Sequence, residues 1–170
     1  MSDESWALRL GPEVTQDFAR ASRREWLETN GLGGWASATI CGAHTRRYHG
    51  LLVAATRPPV GRMVLLSRLE ETVTVAGVRH ELGCNRFPGV IDPRGHEYLQ
   101  AFHRGLFPTF SYHIGEVVLH KTIAAIHGHN TVVIAYEAEA PADPFVLELR
   151  PFVAGRDYHH LAHANESILP

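Results

Sequence analysis

A chain of 170 residues, 45% apolar and 20% charged, is long enough to bury a core of its own and too apolar to stay disordered. Its 16 basic and 18 acidic residues leave a formal charge of −2 with no basic stripe, which excludes recognition of a nucleic-acid backbone by charge. No apolar run nears the ~20 residues of a membrane helix.

Met1-Ser-Asp-Glu-Ser-Trp6 carries acids where an export signal needs bases, so a cytoplasmic compartment is expected. Cys41 and Cys84 are then expected to be buried thiols. The lead-in, residues 1–24, offers the chain's one helical pattern: Val14, Phe18 and Ala21 share a face within Glu13 to Arg24. From residue 25 onward the signals are those of strands. Trp35 to Ile40, Leu51 to Ala55 and Met63 to Leu66 are short apolar runs bounded by Gly or Pro. Leu69 to Val75 is rich in β-formers; Ala76-Gly77 predicts a tight turn and Val78 to Leu82 the returning arm of a hairpin. Phe110 to Ile114, Val117 to Ile126 and Thr131 to Ala138 predict a meander, its last turn at His127-Gly-His-Asn130. Phe145 to Val153 adds a further strand. Many strands, short turns and hardly a helix predict an all-β, antiparallel sandwich over residues 25–170. The chain stops at Leu169-Pro170 without a polar tail, which predicts an incomplete C-terminal end.

Several motifs carry chemistry. Asn30-Gly-Leu-Gly-Gly-Trp-Ala36 is glycine-rich, but a dinucleotide fingerprint would open a helix and be followed by an acid about 20 residues on. Here a β-prone run follows and His49 to Val53 contains no acid, so a sharp turn is expected. Twelve histidines raise the question of a metal, chiefly His127 with His129 and His159-His160-x-x-His163. Neither cluster has a recognised zinc spacing, and no metal or other cofactor is expected. Glycoside hydrolysis needs two carboxylates across the bond. Glu70 and Glu71 face opposite sides of a predicted strand, Asp92 reads as a turn starter, and Asp157 as the partner of Arg156. No catalytic residue is therefore assigned. Thr45-Arg-Arg-Tyr-His-Gly50 packs two guanidinium groups, a phenol and an imidazole into one turn, suited to sugar faces or to a domain interface.

Taken in order, Glu25-Trp-Leu-Glu-Thr-Asn-Gly-Leu-Gly-Gly-Trp-Ala-Ser37, Thr45-Arg-Arg-Tyr-His-Gly-Leu-Leu-Val53, Gly61-Arg-Met-Val-Leu-Leu66, Leu69-Glu-Glu-Thr72, Asn85-Arg-Phe-Pro-Gly89, Pro93-Arg-Gly95, Leu147-Glu-Leu-Arg-Pro151 and Arg156-Asp-Tyr-His159 resemble the opening of bacterial and archaeal glycogen debranching enzymes. The resemblance spans roughly residues 22 to 166. It implies a non-catalytic N-terminal β-supersandwich, similar to the mutarotase-like sandwiches. The partner it implies is a C-terminal (α/α)6 barrel with amylo-α-1,6-glucosidase activity, and the substrate an α-glucan. Candidate contacts to barrel or glucan are Asn30, Gly33, Trp35, Arg46, Arg47, Tyr48, His49, Asn85, Arg86, Arg156, Asp157, Tyr158 and His159. Two other functions fit the sequence less well. A free-standing carbohydrate-binding module would need a flat exposed row drawn from Trp26, Trp35, Tyr98, Phe102, Phe107 and Tyr112. A metal-dependent β-barrel enzyme would need the histidines to converge.

Overall fold

The computed structural model describes residues 7–58, 60–139 and 144–161. Two antiparallel sheets lie face to face. The first runs in the order β1 (Leu8–Leu10), β9 (Leu99–Arg104), β10 (Pro108–Ile114), β11 (Val117–Ala125), β12 (Val132–Glu139). The second runs β13 (Phe145–Asp157), β5 (Gly61–Val75), β4 (Gly50–Arg57), β3 (Trp35–Thr39), β2 (Glu25–Thr29). A short β6 (Val78–Glu81) folds back on the end of β5, and β7 (Cys84–Phe87) pairs with β8 (Val90–Arg94) as a separate hairpin. The all-β sandwich expected from the strand signals is the observed fold.

Period-2 alternation builds the interface between the sheets. Phe110, Tyr112 and Ile114 of β10 and Leu119 and Ile123 of β11 point inward, while Thr109, Ser111, His120 and Thr122 point out. Ala36 and Ala38 on β3 leave room for the rings opposite. Trp26 meets Phe110 edge-on at 6.0 Å, and Phe110 meets Phe102 at 5.1 Å. Side chains of this size contribute about 1.5–3 kcal/mol each when fully buried. Two carboxylates share the interior: Glu28 pairs with Arg104 at 2.8 Å, and Glu71 accepts from Lys121 and from the Tyr136 hydroxyl.

One local expectation is refined and two are corrected. The helical lead-in is two single turns, α1 (Pro12–Thr15) and α2 (Phe18–Ala21), because Asp17 leaves the helical region and caps the second turn through the amide of Arg20. Val14, Phe18 and Ala21 still reach the core. The runs Met63 to Leu66 and Leu69 to Val75 form one strand, β5, since β13 pairs along nearly all of it. Asp92 lies inside β8 before a cis proline; the turn is made three residues earlier, at Gly89 with φ 79°.

Candidate functional site

The outward faces of β2 and β3 form the floor of a groove of about 600 Å³. Glu25, Leu27 and Thr29 alternate with the buried Trp26 and Glu28, and Trp35 and Ser37 lie opposite Thr29 and Leu27 in register. The β2–β3 connection closes one end. Asn30 shapes it: Oδ1 accepts from the amides of Leu32 and Gly34, both at 2.9 Å, and Nδ2 donates to the His129 carbonyl at 3.0 Å. Gly31 and Gly33 take φ of 76° and 92°, a conformation costly for other residues. A side chain at Gly34 would sit 2.8 Å from the Val53 carbonyl. The glycines therefore serve a tight turn between strands.

The turn before β4 supplies one wall. His49 is buried; its Nδ1 accepts from the Thr45 amide at 3.2 Å, which leaves the proton on Nε2. Nε2 lies 3.4 Å from Glu25 Oε1 but out of hydrogen-bonding line. Burial pushes the imidazole pKa down against the opposing pull of Glu25, so His49 is neutral at neutral pH. Arg46 Nε binds the same Oε1 at 2.5 Å.

Aromatic rings and guanidinium groups make the other wall. Trp35 donates its indole N–H to the Tyr48 carbonyl at 3.0 Å and meets Tyr158 edge-on at 5.7 Å. Arg62 donates to the Gly33 carbonyl and lies 5.3 Å from the Trp35 ring centre and 5.4 Å from that of Tyr158. Behind them Arg47 donates to the His159 carbonyl at 2.9 Å, and Arg156 to the carbonyls of Arg47 at 2.6 Å and His160 at 2.8 Å. These bonds latch the end of β13 to the β3–β4 turn. The expected Arg156–Asp157 ion pair is absent among the described contacts: Arg156 spends its donors on carbonyls, and Asp157 accepts from the His159 amide at 2.8 Å. Burial lowers the Arg156 pKa, with Asp157 opposing.

Of the sequence candidates, the structure brings Gly33, Trp35, Arg46, Tyr48, His49 and Tyr158 to the groove, and Arg47, Arg156, Asp157 and His159 to the latch behind it. Asn30 lies beneath the floor, 2% exposed and hydrogen-bonded through both side-chain atoms. Asn85 and Arg86 belong to β7 and stand elsewhere. Asn85 bonds Glu70 at 3.4 Å beside a 40 Å³ cavity lined by the free, buried Cys41 and Cys84. Arg86 edges a separate hollow with Phe18 and Phe87. Sequence reasoning missed Glu25, Leu27, Thr29, Ser37 and Arg62. For Glu25, Leu27 and Thr29 the signal was the alternation in Glu25-Trp-Leu-Glu-Thr29, in which the apolar Leu27 faces out and the acidic Glu28 faces in.

Residues 24–169 match the family described as glycogen debranching enzyme N terminal. The chain belongs to that family. As a debranching-enzyme N-terminal domain it has a groove lined, among the described residues, by one carboxylate, Glu25, where hydrolysis of a glycosidic bond takes two. No curated protein and no solved structure gives a significant match to this domain. Among its described residues no three His, Cys, Asp or Glu side chains converge as metal ligands, and His163 lies outside those residues. Trp26, Phe102 and Tyr112 are buried, and Tyr98 packs on the core, so the six aromatics singled out in the sequence form no flat exposed row. No described helix is long and apolar enough to cross a membrane.

Proposed function

We propose that the chain is the non-catalytic sandwich of a cytoplasmic enzyme that hydrolyses α-1,6-linked stubs in glycogen-like glucans. Residues 25–170 form that domain, and its groove face both docks the (α/α)6 barrel and helps to recognise the glucan. One observation carries this reading. Turns far apart in sequence, at residues 30–35, 46–49 and 156–159, are brought by the sheet ladders to one open groove, where their rings and guanidinium groups stand outside the core. Arginine and tyrosine are the residues that interfaces favour, and rings with hydroxyl-matching donors are what sugars favour.

The test is Arg47→Ala with Tyr48→Ala in an enzyme carrying both this domain and its barrel. Turnover of branched glucan should fall by roughly tenfold or more, while far-ultraviolet circular dichroism and the thermal midpoint stay close to those of the parent. Intact turnover in a folded variant overturns the proposal.

A further inference from the structure

Glu25 is the one acid among the described residues that line the groove. It sits on a groove floor whose other groups are an aliphatic side chain, two hydroxyls and an indole. Among the described residues its charged neighbours, Arg46 and His49, both approach Oε1, which leaves Oε2 for a ligand. Beneath it, His49 is 1% exposed, and its Nε2 lies 3.4 Å from the carboxylate but out of line with it and hydrogen-bonded to nothing, a buried donor left unsatisfied.

We infer that the groove is a subsite for one neutral pyranose unit of an α-glucan, in which Glu25 accepts hydrogen bonds from the sugar's hydroxyls and Leu27 and Trp35 lie under its C–H face. This rests on the reading of the groove as a glucan-recognition face and deepens it by naming the contact. The chemistry decides the ligand class. An anionic ligand such as a phosphate or carboxylate would meet Glu25, while the guanidinium groups that might offset it are engaged, Arg46 by Glu25 and Arg62 by the Gly33 carbonyl. A purely apolar ligand would strand a carboxylate and the Thr29 and Ser37 hydroxyls against it. A pyranose offers hydroxyl donors around its rim and aliphatic hydrogens on its faces, and satisfies both requirements. A groove of this volume suits a small ligand. A hydroxyl held on Glu25 would also let the carboxylate turn into line with His49 Nε2–H, so ligand binding satisfies the orphan donor. Glu25 is therefore the specificity-determining residue of the subsite.

The experiment is titration of the chain with maltotriose and with isomaltose, followed by calorimetry and by the amide shifts of residues 25–37. Cellotriose serves as the β-linked control. The expected result is saturable binding of at least one α-linked probe, stronger than that of cellotriose, with shifts centred on Glu25, Leu27 and Trp35. Glu25→Gln should weaken it by roughly tenfold or more, the loss of a charge-assisted hydrogen bond. Leu27→Ala, at a site 52% exposed and so harmless to the fold, should weaken it severalfold. Should Glu25→Gln unfold, Leu27→Ala alone decides. Absence of saturable binding, or binding that neither variant alters, overturns the inference. If the chain binds no sugar while Arg47→Ala/Tyr48→Ala still abolishes turnover in the enzyme with its barrel, the groove is a docking face and only the subsite falls. If the sugar binds but turnover ignores that double variant, the docking role falls instead.

Discussion

Lys121 is the single lysine among 16 basic residues, and it is buried against Glu71 on the neighbouring sheet. The Tyr136 hydroxyl donates to the same carboxylate oxygen at 2.7 Å, so one buried acid organises two donors from β11 and β12. Burial and the Glu71 charge both push the Tyr136 phenol upward, which keeps it protonated and donating. Removing one partner of such a pair strands a charge in the interior at a cost of about 3–5 kcal/mol, whereas replacing both by apolar residues is often neutral. Lys121→Met should therefore lower the urea-unfolding free energy by about that amount, and Glu71→Leu with Lys121→Met should recover most of the loss. The same burial gives a second readout. Lys121 should resist acylation in the native protein and react once urea unfolds the chain, as mass spectrometry would record. A native-state Lys121 that acylates as fast as a free lysine would show that the pair is not sealed.

At the scale of elements, two asparagines join the sheets at one end. Asn30 leaves β2, and its side chain reaches the β11–β12 turn at His129 and Asn130, while Asn130 holds the Ala55 amide at 2.8 Å and its carbonyl at 2.9 Å. Asn30→Ala leaves the amides of Leu32 and Gly34 without acceptors in a nearly sealed place, costing about 1–3 kcal/mol for each unsatisfied group. Its urea midpoint should fall accordingly, and hydrogen exchange at Gly34 should quicken. A contrary change is expected at the β5–β6 hairpin. Ala76 and Gly77 both take positive φ, 49° and 78°, as a two-residue turn between right-twisted strands requires. Alanine is poorly suited to that region, so Ala76→Asn should stabilise the protein by about 1 kcal/mol and raise its thermal midpoint. This turn was legible in the sequence because strong β-formers flank a glycine, and β10, β11 and β12 were legible because their inward residues keep period 2. Strand β9 was not. A bulge against β10 puts its buried Leu99 and Phe102 three residues apart, which breaks the alternation a strand is read by. The groove was half legible for a similar reason. The unusual residues of its turns stood out singly, but Glu25 and Leu27 look ordinary until β2 is seen to keep Trp26 and Glu28 inside, the latter answered by Arg104 from the other sheet.

For the whole molecule, acid is the condition that the interior histidines oppose. Burial, with His49, Arg68 and Arg156 nearby, pushes His44 from 6.5 down to about 3, and burial also lowers His49 and His96. Above the ordinary imidazole value both the folded and unfolded chains hold these rings neutral, and the rings then contribute no pH dependence. As the pH falls below about 6.5 the unfolded chain binds protons that the native fold refuses, so stability falls, and the His44 share of the loss continues until the pH passes about 3. Each such ring gives a slope of at most about 1.4 kcal/mol per pH unit. Glu28 acts in the opposite sense, since burial raises its pKa against the pull of Arg104. Between about pH 7 and about pH 5 the unfolded histidines take up their protons, and the Glu28 contribution is common to the wild type and a His44 variant. Urea-unfolding midpoints followed by tryptophan fluorescence should drop across that window, and His44→Gln, which cannot titrate, should flatten the drop by the share of one ring. A wild-type midpoint that holds level from neutrality to pH 5 would mean that these imidazoles take up protons in the folded sandwich, and that the interior around His44 admits water.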